Sequence, residues 1–80
     1  MSGSDRPVAL VVDAHGLACP LPILKAKKAL SQLSSGEVLS VITTDRNAVK
    51  DFQAFCRQSG NPLLEQVQGE TICTHYIARR

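Results

Sequence analysis

The stretch Gly16–Leu30, GLACPLPILKAKKAL, sets a cysteine directly before two prolines one residue apart, and the residues after Pro22 have the pattern of a helix. Ile23, Ala26, Leu30 and Leu33 fall at i, i+3, i+7 and i+10, one face of a helix expected over Pro20–Ser34. Lys25 and Lys28 lie on the other side and Lys27 on the flank. Gly36 stands where a C-cap glycine is expected. Proline is favoured at the first helical position, because its missing N–H would have no intrahelical partner there. This puts Pro20 at N1, Pro22 at N3 and Cys19 at the N-cap.

Upstream, VALVVD (8–13) is rich in β-branched residues and reads as a strand buried on much of both faces. Downstream, EVLSVITT (37–44) is a second strand. Thr44 or Asp45 is a candidate cap for a second helix carrying Ala48, Val49, Phe52, Phe55 and Cys56 at helical spacing. Gly60 closes that helix and Pro62 stops it. LLEQVQ (63–68) and TICTHYIAR (71–79) form two strands of an antiparallel hairpin around Gly69. The order is βαβαββ. Two helices with one apolar face each must hide it against a sheet, so the expected fold is an α/β two-layer sandwich with both helices on one face of a mixed four-stranded sheet. Thr, Gln, Ser and His residues are available to cover the open sheet face, and His75 reads as a strand surface residue.

Eighty residues make one domain, expected over residues 8–80 after a flexible tail over 1–7. A chain this short buries about 60% of its unfolded surface. The longest apolar run, Val8–Val12, is far below the roughly 20 residues of a membrane helix, and MSGSDRP lacks the pattern of a secretory signal. The three cysteines, Cys19, Cys56 and Cys73, are odd in number and widely spaced, which fits reduced thiols in a cytoplasmic protein. No C-x-x-C or H-x-x-x-H pair offers metal ligands, so no metal site is expected. A net charge of +2 does not call for nucleic acid.

A thiol at a helix N-terminus meets the positive end of the dipole. An effect of about 0.3–1 kcal/mol would lower its pKa by about 0.2–0.7. Cys19 is therefore the candidate nucleophile, modestly activated and held outward on a turn stiffened by proline. The alternative is a small buried cysteine beside prolines that merely start a helix. Cys56, beside Phe52, and Cys73, within a strand, read as packing residues. Asp13 suits a turn aspartate that accepts backbone N–H bonds, and Gly16 a backbone angle other residues resist. His15 could form a dyad with Cys19 or be an ordinary solvated histidine. Lys25, Lys27 and Lys28 are a solvated face or a docking surface for acidic partners.

Residues 12–33 resemble the TusA family, also called SirA-like, of small bacterial sulfur carriers. Asp13, Gly16, Leu17, Cys19, Pro20 and Pro22 carry the signature, with Leu30 further along, and DRNAVKDFQAFCRQSGNPLL (45–64) resembles the second half. Arg46 stands where family members often have proline, and Asn61–Pro62 where they often have histidine. The resemblance implies a βαβαββ sandwich and a persulfide on Cys19. A cysteine desulfurase, itself carrying pyridoxal phosphate, would load the sulfur, and an acceptor protein would receive it for tRNA 2-thiouridine, molybdenum-cofactor or other sulfur metabolism. No cofactor is expected on this chain, and no membrane or direct nucleic-acid contact. The competing readings are a protein-interaction or regulatory module in which the cysteine is incidental, and RNA binding by analogy of fold.

Overall fold

The computed structural model describes residues 7–80; the expected tail lies, except for Pro7, outside the described residues. The elements are β1 (Leu10–Ala14), α1 (Leu21–Leu30), β2 (Val38–Thr43), α2 (Ala48–Ser59), β3 (Leu63–Gln68) and β4 (Cys73–Ala78). The sheet order is β1-β2-β4-β3, with β1 and β2 parallel and β4 antiparallel to both its neighbours. The expected α/β sandwich with both helices on one face of a mixed sheet is the fold observed.

Strand alternation and register decide what the helices cover. The rows Leu10–Leu39–Ile77–Leu63 and Val12–Val41–His75–Gln66 run across the sheet on the helix side. Ala26, Ala29 and Leu30 of α1 and Ala48, Phe52 and Cys56 of α2 close over them. On the open side lies the row Val11–Ser40–Tyr76–Glu65. β1 is thus an edge strand with one face in solvent, not a strand buried on both faces: Val11 is 60% exposed, while Leu10 and Val12 pack on the core.

His75 is a second correction. It faces the helices and is fully buried, because its register places it between Val41 and Gln66. Burial of a polar ring is tolerable when its nitrogens are bonded. Gln66 Nε2 sits 3.0 Å from His75 Nδ1, and Thr43 Oγ1 2.8 Å from Nε2. Since the amide can only donate, Nδ1 accepts, Nε2–H donates to Thr43, and the Thr43 hydroxyl donates to the Cys73 carbonyl (3.4 Å). Gln66 Nε2 also donates to the Val49 carbonyl (3.0 Å), tying β3 to α2. Phe52 stacks on the imidazole at 4.5 Å. Burial pushes the His75 pKa down to about 4.

Helix ends differ from the expected ones. α1 stops at Leu30 because its last turn tightens: Gln32 N–H donates to Ala29 O (3.0 Å) and Leu33 N–H to Leu30 O (3.1 Å). Ser31 is the C-cap, and Gly36 (φ +87°) instead turns the chain into β2. Gly60 does cap α2 in the left-handed region, at φ +80°.

Candidate functional site

The C-terminal ends of β1 and β2 and the N-terminal ends of α1 and α2 meet at one pole of the molecule, and the loop bearing Cys19 crosses it. Asp13 opens the loop: its Oδ1 accepts the His15 N–H (3.0 Å), and its carbonyl oxygen accepts Lys25 Nζ (3.3 Å). Gly16 adopts φ +77°, which a side chain would resist, and donates its N–H to Thr44 Oγ1 (2.9 Å). Leu17 turns inward onto the core, its N–H on Ala14 O (3.2 Å). Cys19 then donates its N–H to Asp45 Oδ2 (2.8 Å), while Asp45 Oδ1 accepts the Asn47 N–H (3.0 Å). One carboxylate thus closes its own turn and clamps the cysteine backbone, and these two bonds hold its pKa below the usual carboxylate range.

The N-cap of α2 is Asn47, and Asp45, a candidate for that position by sequence, belongs to the turn before it. Cys19 likewise precedes the N-cap of α1, which is Pro20, so Leu21 is N1 and Pro22 is N2. The Cys19–Pro20 peptide bond is cis. Pro22 is buried, whereas Cys19 and Pro20 are exposed.

This geometry reverses the expected electrostatics of the thiol. Neither proline has an N–H, and Leu21 gives its own to Ala18 O (2.9 Å), so the N-cap and the first two helical positions offer a thiolate no donor. Asp51, in the first turn of α2, instead faces the cysteine. A hydrogen bond to its carboxylate, then desolvation and the negative charges of Asp51 and Asp45, raise the Cys19 pKa above the ordinary thiol value. A thiol hydrogen-bonded to a carboxylate keeps its proton. Cys19 is an exposed thiol that holds its proton more tightly than an ordinary one.

Cys56 and Cys73 are buried, and all three cysteines are free thiols. Burial pushes Cys56 up to about 11 and also raises Cys73. Lys25 donates from Nζ to the Asp13 carbonyl, beside the loop that bears Cys19, while Lys27 and Lys28 sit in the last turn of α1. Among the described residues no group of His, Cys, Asp or Glu is placed to hold a metal ion. None of their helices is long and apolar enough to cross a membrane.

A family model described as sulfurtransferase TusA matches residues 10–79. The chain belongs to the TusA family. The sulfur carrier protein TusA of Allochromatium vinosum is 63% identical over 54 residues, covering 68% of this chain and 71% of that one. A putative sulfur carrier protein of Neisseria meningitidis is 52% identical over 69 residues, covering 86% and 93%. The crystal structure of a SirA-like protein from Desulfitobacterium hafniense superposes with a TM-score of 0.76 at 27% identity, over 86% of this chain and 95% of that one. A TusA-family sulfur carrier implies a sulfur donor and a sulfur acceptor as partners.

Sequence reasoning missed Asp51 here, together with the roles of Thr44 and Asp45 in holding the Cys19 loop. The run Thr43–Thr44–Asp45 after a strand is a visible turn signal. Nothing local says that it closes on a loop 26 residues away.

Proposed function

We propose that this protein carries sulfane sulfur as a persulfide on Cys19, taking it from a cysteine desulfurase and passing it to an acceptor protein in a reducing, cytoplasmic setting. The observation that carries the reading is an exposed thiol on a clamped turn, with both other thiols buried. In the loading step Cys19 Sγ attacks the terminal sulfur of the donor's persulfide. A new S–S bond forms on Cys19, the donor's S–S bond breaks, and the thiol proton ends on the donor's departing sulfur, with no external oxidant. Unloading is the same exchange, with the acceptor's thiolate as attacker. A resolving cysteine beside Cys19 would discharge the persulfide as a disulfide, and the burial of Cys56 and Cys73 supports relay instead.

Residues in the motif have distinct tasks in this reading. Asp13 and Gly16 shape the loop, Leu17 anchors it in the core, and Pro20 and Pro22 start α1 without freeing a backbone donor. The exposed Leu21 and Leu24, next to the thiol on α1, supply apolar area for a protein partner. The carrier needs no cofactor of its own, since the carbon–sulfur bond is cleaved by the desulfurase. The acceptor serves tRNA 2-thiouridine formation, molybdenum-cofactor maturation or another branch of sulfur metabolism.

Intact mass spectrometry without reductant tests the proposal, with the protein incubated with cysteine and an active desulfurase. The expected product carries one added sulfur atom that a reductant removes and that Cys19→Ala does not acquire. Loading of Cys19→Ala to the wild-type extent, or no loading of wild type, overturns it and leaves the interaction-module reading.

A further inference from the structure

Cys19 lies before the start of α1, and a groove of about 400 Å³ opens at the other end of the helix pair. Leu30 and Phe55 are among its lining residues, and Lys27, Arg79 and Arg80 bring three cations to it. Among the described residues no aspartate or glutamate lines it. The helix dipole accounts for Lys27, since a cation is favoured beside the last carbonyls of α1. It does not account for Arg79 and Arg80, which enter from the strand side after β4.

The arginines are placed rather than trailing. Arg80 donates its N–H to Asn61 Oδ1 (3.0 Å), and Asn61, itself buried, donates from Nδ2 to Ser59 Oγ (3.0 Å). The Arg80 side chain lies across the α2 cap: a Cβ at Gly60 would come within 3.3 Å of its Cδ. Arg79 Nη1 donates to the Arg80 carbonyl (3.2 Å). Cations gathered around one concavity repel each other, and an anionic occupant relieves that repulsion.

We propose that this groove is a second recognition site, which takes an acidic peptide segment of a partner protein. An apolar side chain of the segment rests on Leu30 and Phe55, and flanking carboxylates pair with Lys27, Arg79 and Arg80; arginine matches a carboxylate with two parallel bonds. Nucleic acid fits less well, because binding of single strands relies on several aromatic platforms. Among the described residues Phe55 is the one aromatic lining the groove, and its ring is packed edge-on with Phe52 at 6.4 Å. The site is remote from the thiol. Arg79 comes directly after Ala78, which pairs with Val38 at the start of β2, whereas the Cys19 loop is held by residues beyond the end of β2. A segment bound in the groove therefore leaves Cys19 exposed, and the proposal stands apart from the sulfur chemistry.

The test is an NMR titration of the isotope-labelled full chain with a short end-blocked peptide, leucine flanked on both sides by glutamates. The expected result is saturable shifts of the Lys27, Gln58, Arg79 and Arg80 amides, with the Cys19 loop unmoved. Replacing the glutamates by glutamine, or making Arg79→Gln with Arg80→Gln, should weaken binding by about tenfold. Lys27→Glu, on a separate element, should weaken it in the same direction. Absence of shifts at millimolar peptide overturns the proposal, as does equal binding of the glutamine peptide. An oligoribonucleotide that displaces the peptide at lower concentration overturns the choice of occupant.

Discussion

Asp45 Oδ2 accepts the backbone N–H of Cys19 at 2.8 Å, a bond that joins the turn after β2 to the turn after β1. Through it the thiol-bearing loop is fixed to the sheet from which both turns emerge. The same carboxylate adds negative charge near the sulfur. Asp51 is the larger cause of the raised thiol pKa, and Asp45, which holds the loop, adds to it.

Removing the charge of Asp51 should activate the thiol. Asp51→Asn takes away the first cause of the raised Cys19 pKa, so the curve of alkylation rate against pH moves to lower pH. Iodoacetamide labelling near neutral pH should rise by about two- to fivefold. An unchanged or slower rate would show that Asp51 does not govern the proton on Cys19.

Removing the clamp should loosen the loop. Asp45→Ala leaves the Cys19 and Asn47 N–H groups without their acceptor. Hydrogen exchange at the Cys19 and Asn47 amides should accelerate by about tenfold or more, while exchange in β2 and β4 stays near wild type. Because the Asp45 pKa is lowered by folding, its stabilising contribution is present above the ordinary carboxylate pKa. That contribution is lost as pH falls through the folded value.

Acid should destabilise the domain through His75. The buried ring is neutral, with a pKa of about 4, whereas in the unfolded chain it takes a proton below about 6.5. Stability therefore falls as pH drops from about 6.5 toward 4, by on the order of 3 kcal/mol, and this contribution levels off below the folded pKa. Thermal melts across that range should show the decline, and His75→Gln should flatten it. An equally steep decline in the variant would assign the effect to other groups.

Phe52 is the largest fully buried side chain and packs on both His75 and Phe55. Phe52→Ala should cost about 3–5 kcal/mol, comparable to the whole stability of a small domain. Urea denaturation checks this: a loss below about 1 kcal/mol would mean that the core closes over the gap.

Each helix and strand was legible because the apolar period that produces it is local. Ile23, Ala26 and Leu30 recur along one helix face, and Phe52 and Cys56 along another, whatever the rest of the chain does. Gly60 likewise marks the end of α2 by its own backbone preference. Where a boundary depended on competition between hydrogen bonds, as in the last turn of α1, the expected end, Ser34, lies beyond the observed one, Leu30.

The sequence by itself determined the βαβαββ order, the two-layer packing, and the single Cys-Pro-x-Pro turn that carries the sulfur chemistry proposed here. Tertiary structure alone decided the rest. Register turned His75 inward, since a strand's two faces look alike until its partners are known. The approach of Asp51, with Asp45 adding to it, raised the pKa of a thiol that the local helix terminus was expected to acidify. The cationic groove likewise needed the ends of α1, α2 and β4 to meet. The physical reason is range: periodicity is set by neighbours along the chain, whereas charge and hydrogen bonding act through space between residues the fold brings together.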